Sequence, residues 1–333
     1  MRANLAERVL QHYVDKSRVL PWRSPPGEAP PNPYRVWLSE VMLQQTTVAA
    51  VAPRFERFVN RWPTVEALAA AEDDDVLSEW AGLGYYARAR NLIACAREVA
   101  ERGSFPDNES ELRNLPGVGD YTAAAIAAIA FRRRAVVVDA NVERVVARLF
   151  GLKKPTKSEL RERTAAITPD EQAGDFAQAM MDLGATVCRP RNPVCCECPL
   201  NADCEAFASG SPELYPAAKA KVQKPVRYGI AHWVERGGAI CLVRRAPKGL
   251  LGGMAALPGG DWMSEKPEAA AAALAHVRHV FTHFALELTI VASEDVPTGA
   301  CWHSLDRLAH AGLPTLYRRA VDAVLSKRIS IAA

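Results

Sequence analysis

Leu115-Pro116-Gly117-Val118-Gly119, followed downstream by Val136-Val137-Val138-Asp139-Ala140-Asn141-Val142, decides how this chain is read. The first string lies between two helical stretches. Its glycines let the backbone turn so that amide N–H groups face outward at the start of the next helix, an arrangement that accepts phosphate. A Pro-Gly turn joining two core helices is the plainer alternative. In the second string, three β-branched valines carry one carboxylate, Asp139, on an apolar approach to a partly desolvated place. Asp139 or Asn141 would also suit the N-cap of a following helix.

Outward from these strings, Leu5 to Phe207 is helical in pattern, with apolar residues spaced by three and four, as in Tyr34, Trp37, Leu38, Val41 and Met42. Pro63, Gly82, Gly103, Pro116, Gly151 and Pro169 punctuate it into many short helices, and no strand is needed. The stretch Ser211 to Arg227 is basic and contains three prolines, which suits a semi-extended linker. Beyond it, Gly229 to Val234 and Ala239 to Arg244 flank Gly237-Gly238, a hairpin signal, and Phe284, Leu286, Leu288 and Ile290 alternate. Ala269 to Val277 and Leu316 to Leu325 are expected to be helical. The expectation is a mainly α domain over 1–210, a linker over 211–227 and a smaller α+β domain over 228–333, without an internal repeat. A chain of 333 residues is long enough for two such cores.

A net charge of +3 is too small to announce a nucleic-acid partner by itself. Arg88, Arg90, Arg132, Arg133, Arg134, Arg144 and Arg148 nevertheless crowd the first half, while Glu72 to Asp75 suits a solvated helix start. The longest weakly polar run, Ala123 to Phe131, falls short of the ~20 residues that span a bilayer. Glu7 and Arg8 interrupt any secretory core, so a cytoplasmic protein is expected. Five of eight cysteines fall between Cys188 and Cys204, which favours metal over disulfides in a chain of this size. Cys188, Cys195, Cys198 and Cys204 place four thiolates on one tight loop that contains no histidine. Their unequal spacing points to a [4Fe–4S] cluster, with structural zinc the competing reading. Cys196 is the odd one out.

With these motifs the chain resembles the helix-hairpin-helix DNA glycosylase superfamily, and within it the adenine glycosylases of the MutY type. The resemblance runs from Leu20-Pro21-Trp22-Arg23, through Trp37-Leu38-Ser39-Glu40-Val41-Met42-Leu43-Gln44-Gln45-Thr46 and Gly82-Leu83-Gly84-Tyr85-Tyr86-Ala87-Arg88, to the cysteine loop and beyond. It implies a helix-hairpin-helix glycosylase domain with a [4Fe–4S] loop, followed by a Nudix-like domain. It also implies excision of adenine mispaired with 8-oxoguanine or guanine in double-stranded DNA, by a monomeric enzyme associated with the nucleoid of a bacterium.

Cleaving an N-glycosidic bond leaves positive charge on the sugar and negative charge on the departing purine, so an acid is wanted at the base and an anion at the sugar. By resemblance Glu40 is the acid, kept protonated by burial, and Asp139 the anion. Tyr121 and Asn141 match positions that contact sugar or base and orient the anion. Trp22, Arg23, Leu43 and Gln178 match the adenine pocket, and Gly117 and Gly119 the hairpin that grips the backbone. Because the target base is buried in the duplex it must be flipped out, and Gln44, Gln45 with Tyr85 or Tyr86 would contact the opened DNA.

The Nudix-like domain lacks the acidic metal-binding signature around Ala269 to Val280 and is expected to be catalytically silent. The family's Phe-Ser-His loop, which reads the oxidised guanine, appears as Phe281-Thr282-His283. A proline-rich insertion, Ser24 to Asn32, is a further departure. Three rivals remain: an endonuclease III-like glycosylase and lyase acting on oxidised pyrimidines, a Nudix-type nucleotide hydrolase, and a non-catalytic DNA-binding scaffold. The first would need a lysine where Tyr121 stands, the second the missing carboxylates, and the third has no use for Glu40 and Asp139 together.

Overall fold

In the computed structural model, which describes residues 2–218, 223–246, 249–267 and 273–332, the chain divides into two compact units. One comprises residues 1–70 and 91–220, the other 71–90 and 221–333. Among the described residues no helix is long and apolar enough to cross a membrane.

The first unit is built of helices, and no strand forms among its described residues. Side-chain caps start many of them: Asn32 accepts from Tyr34 N, Thr47 from Ala50 N, Asn108 from Glu111 N and Asp139 from Val142 N. The helix Asp120–Phe131 is apolar on all sides and buried from Thr122 to Ala130, which makes it the central post of the unit. The helices Pro33–Leu43 and Ala173–Thr186 pack against it, and Ala173–Thr186 also packs on Ala140–Leu149. Gly184 permits the last contact, since a Cβ there would lie 2.6 Å from Asn141 Cβ. Trp37, Phe55, Phe58, Ile126 and Met180 are wholly enclosed in the resulting core.

Among its described residues the second unit has seven strands: β1 (Val226–Trp233), β2 (Glu235–Arg236), β3 (Ala239–Arg244), β4 (Ala255–Ala256), β5 (Ala273–Val280), β6 (Ala285–Ala292) and β7 (Cys301–Ser304). One sheet runs β1-β6-β5, with β1 parallel to β6 and β5 antiparallel to it; the other runs β2-β3-β4, with β7 paired to β3. The helix Thr315–Ala332 packs on β5, and Trp233, Ile240, Leu286, Ile290 and Val321 share the core. The helix Asp73–Glu79 of this unit carries Asp73, Asp74 and Asp75 in its first turn, where the macrodipole favours them.

Two expectations are corrected here. Of the expected helix Ala269 to Val277, residues 269–272 lie outside the described residues, while Ala273–Val280 is a strand. Ala275 and Val277 are buried while His276 and Arg278 are exposed, a period of two that pairing with β6 selects over the helix preference of the alanines. The hairpin across Gly237-Gly238 forms, but its first arm is only Glu235–Arg236. Of Gly229 to Val234, all but Val234 instead belongs to β1, whose hydrogen bonds go to β6.

Candidate active site

A cavity of about 810 Å³ opens in the helical unit where several elements meet. The helix Pro33–Leu43 contributes Glu40, the start of Asp120–Phe131 contributes Tyr121, the start of Ala140–Leu149 contributes Asp139 and Asn141, and Ala173–Thr186 contributes Gln178. The segment after the first helix adds Trp22 and Arg23. Leu43, Gln44, Gln45, Gly117 and Gly119 complete this part of the wall. Residues separated by as many as 156 positions therefore reach one space.

Glu40 is 6% exposed, and Tyr121 Oη donates to its Oε2 at 2.7 Å. Burial pushes the Glu40 carboxyl up to about 7. The Tyr121 hydrogen bond and Arg23 oppose that rise and the nearby Asp139 charge adds to it. Burial, with Glu40 and Asp139 close by, raises the Tyr121 phenol well above its ordinary value, so Tyr121 is a neutral donor. Near neutral pH the protonated fraction of Glu40 is substantial, which is what a proton donor requires.

Asp139 has a different environment. It is half-buried, its Oδ1 accepts from Val142 N at 2.7 Å and its Oδ2 from Asn141 Nδ2 at 2.9 Å. Donors on both oxygens fix the orientation of the carboxyl group. The capping role and the cavity-facing role thus coexist in one side chain. Asn141 is held in turn by Arg144, whose Nη2 donates to Asn141 Oδ1 (2.9 Å) and to Gly184 O (2.6 Å), while Nε donates to Cys188 O (2.8 Å).

A further ionic cluster was not visible from sequence. Asp182 is buried and receives Arg18 Nε at 2.6 Å, Arg18 N at 3.0 Å and Arg23 Nη1 at 2.7 Å. It locks two guanidinium groups at the cavity wall, Arg18 being itself a lining residue. No local spacing links residues 18, 23 and 182, and only the fold brings them together. Trp22 is buried edge-on to Phe55, with ring centroids 5.3 Å apart.

The hairpin is in place. Gly117 adopts φ +75°, and a Cβ there would meet Asn91 Cβ at 2.7 Å. The helix Asp120–Phe131 starts at Gly119 without a side-chain cap, so its first amides remain for an outside acceptor. Gln45 is exposed in a left-handed conformation at φ 57°.

In the second unit Tyr85 is 49% exposed with φ 48°, whereas Tyr86 is only 4% exposed and belongs to the core. Thr282 and His283 form the exposed tip of the β5–β6 connection, closed by Phe281 N to Phe284 O at 2.8 Å. Phe281 stacks on Trp262 at 5.5 Å, and Tyr85 Oη lies 3.0 Å from Thr282 Oγ1.

Cys188, Cys195, Cys198 and Cys204 sit on the loop that follows the helix Ala173–Thr186, with short 3-10 turns at Cys195–Glu197 and Asn201–Asp203. Burial pushes the Cys198 thiol up to about 12 and also raises Cys195 and Cys204, each made worse by neighbouring cysteines of the set. The thiols therefore share one neighbourhood and need a cationic centre to hold them as thiolates. Arg148, 2% exposed, donates from Nη1 to Cys188 Sγ at 3.3 Å and to Arg189 O at 2.8 Å. It also donates to Tyr215 O and Pro190 O, with no carboxylate partner among the described residues. A buried cation on a sulfur fits an electron-rich thiolate centre. Among the described residues no three His, Cys, Asp or Glu side chains stand together as a ready site for a single metal ion. Cys196 is exposed.

Residues 38–170 match the family described as HhH-GPD superfamily base excision DNA repair protein, and residues 230–323 match the NUDIX domain family. The chain is similar to the adenine DNA glycosylase of Rattus norvegicus, 33% identical over 93% of this chain and 76% of that protein. It is also similar to the adenine DNA glycosylase of Homo sapiens, 32% identical over 93% and 72%. Among solved structures, a thermostable thymine-DNA glycosylase superposes with a TM-score of 0.57 at 28% identity, over 62% of this chain and 97% of that one.

Proposed function

The chain belongs to the adenine DNA glycosylases, and from that premise we propose that its substrate is adenine standing opposite 8-oxoguanine, or guanine, in duplex DNA. It is a hydrolytic DNA N-glycosylase of base excision repair, with a helix-hairpin-helix domain followed by a Nudix-like one. The observation that carries the chemistry is the buried Glu40, its carboxyl pushed up to about 7, sharing one cavity with Asp139.

The steps follow from the two environments. Glu40 gives its proton to the purine ring, so the leaving group departs neutral. Asp139, fixed by Val142 N and Asn141, offsets the positive charge that develops on the sugar. Water then adds to the sugar carbon and yields its proton to the Glu40 carboxylate, which restores the acid; Tyr121 supplies no amine for a Schiff base. Amides at the start of Asp120–Phe131 hold backbone phosphate while the base is turned into the cavity, with Gln44 and Gln45 at the vacated stack. Gln178, Trp22, Arg23 and Leu43 enclose the adenine.

Purified protein is expected to release free adenine from an adenine:8-oxoguanine duplex and far less from an adenine:thymine duplex. The strand should break only after hot alkali. Rapid breakage without alkali would instead support the endonuclease III-like reading.

Recognition of the oxidised base is assigned to Thr282 and Tyr85, supported by their hydroxyl contact at an exposed tip. Thr282→Val, which keeps the shape and removes the hydroxyl, should lower the preference for 8-oxoguanine over guanine by about tenfold, the value of one good hydrogen bond. An unchanged ratio of single-turnover rates on the two duplexes would remove Thr282 from the readout.

A [4Fe–4S] cluster would be held by Cys188, Cys195, Cys198 and Cys204. When bound it would supply the iron that the four thiolates ligate, tying the loop into one rigid piece. Arg148→Leu should cost about 3 kcal/mol by breaking the set of hydrogen bonds that ties the loop to a buried guanidinium, and should lower the iron content per chain. Full iron occupancy in a stably folded variant would separate Arg148 from the cluster. We also propose that the enzyme is a monomer, as its mass by light scattering will report.

A further inference from the structure

A second cavity of about 350 Å³ lies beneath the proline-rich insertion and shares its inner wall with the catalytic cavity. Ile129 and Gln178 line both spaces. These two side chains are thus part of the wall between the two spaces. Gln178 is 5% exposed, and its amide has no hydrogen-bond partner among the described residues. That amide stands at the surface of both cavities, where it is free to bond a polar ligand on either side.

The outer end of this chamber is open: Glu28, Ala29, Asp170 and Glu171 line it and are exposed. The insertion is tied down over it, with Gly27 N donating to Asp175 Oδ2 at 3.2 Å and Arg132 Nη2 to Glu28 O at 2.8 Å. Around the chamber stand four carboxylates, of Glu28, Asp170, Glu171 and Asp175, against the guanidinium of Arg132 in its lining and that of Arg134, whose Nε lies 2.8 Å from Asp170 Oδ1, so the rim remains acidic on balance. Such a rim repels a phosphate backbone and tolerates a neutral base that carries an amino group.

We infer that this chamber is the exit subsite through which the excised base leaves. The inference rests on the adenine-excision reading above. A flipped nucleotide enters its pocket from the duplex, so the DNA lies across the entrance while the bond is cut. The freed purine then faces product DNA on one side and the Ile129–Gln178 partition on the other. The amide of Gln178 meets the polar edge of the purine in the catalytic cavity and, after a rotamer change, in the outer chamber. The acidic rim keeps DNA from closing that second opening. The insertion thus forms the roof of a passage that empties the site without dissociation of the duplex.

The test separates base release from base excision. A bead-tethered adenine:8-oxoguanine duplex carries a tritiated adenine, and excised base is measured both in the supernatant and after denaturation. The wild-type protein should free tritium into the supernatant while the enzyme stays on the beads. Ala29→Trp, which fills the mouth from an exposed position, should excise at the wild-type single-turnover rate yet retain the base about tenfold longer. Glu28→Trp, at the neighbouring exposed position, should do the same. Equal release from wild-type and both variants, or release only in step with enzyme dissociation, would overturn the exit route. Absence of excision by the wild-type protein would overturn the adenine reading itself.

Discussion

Glu40→Gln is expected to lower single-turnover adenine excision by roughly 10³- to 10⁴-fold, the upper range for removal of a general acid, while duplex binding is kept. Glutamine retains the carbonyl that accepts from Tyr121 Oη and the packing of a residue that is 6% exposed, so the loss reports the proton alone. The wild-type rate should fall about tenfold per pH unit above the Glu40 value of about 7, and the variant's residual rate should lack that inflection. Stability makes an independent prediction. Folding raises the Glu40 carboxyl from 4.5 to about 7, so the folded state binds the proton more tightly than the unfolded state does. The contribution of Glu40 to stability is therefore fully present below about pH 4.5 and is lost as pH rises through about 7, by on the order of 3 kcal/mol. Glutamine carries no such burden. Glu40→Gln should be the more stable protein at pH 8 and show little advantage at pH 4.5, measured by urea unfolding. An excision rate near that of the wild type would dismiss Glu40 as the donor.

The parts of this site that lie close in sequence were readable, and those assembled by the fold were not. The Leu115–Gly119 turn and the Cys188–Cys204 loop carry their chemistry within a few residues, because a turn needs glycine locally and a cluster needs its ligands on one loop. Glu40 stood out only through the string around it, since an isolated glutamate on a helix is ordinarily solvated. Asp139 had two competing readings, cap and anion; the cap forms through Oδ1, and the residue also lines the cavity with Oδ2 held by Asn141, so the first reading does not displace the second. The cluster of Arg18, Arg23 and Asp182, and the placing of Arg148 against Cys188, depend on helix packing between distant segments and leave no periodic trace. In the Nudix-like domain the alanines before Val277 suggested a helix. The deciding influence was a partner strand, β6, whose register no local propensity encodes.

Asp139→Asn separates the two roles of that side chain. Asparagine caps helices about as well as aspartate, so the bond to Val142 N at 2.7 Å should survive and stability should change by less than about 0.5 kcal/mol. Asp139→Ala removes the cap and should cost about 1 kcal/mol. Excision should fall in both, by about 10²- to 10³-fold or more, since a neutral amide cannot offset the positive charge that builds on the sugar. The two variants should thus differ in melting temperature and agree in rate. If rates instead followed melting temperature, with Asp139→Asn close to wild type in both, the carboxylate would be a cap and nothing else. The charge on the sugar would then need another anion, and with Glu40 committed as a proton donor the cavity lining offers only Asp120. Asp120 precedes Tyr121 on the turn that opens the helix Asp120–Phe131, and its carboxylate is 84% exposed and paired with Arg113. A carboxylate so well solvated stabilises a nearby cation weakly, which is why the half-buried Asp139, held by two donors, is the one on which the large rate effect is expected.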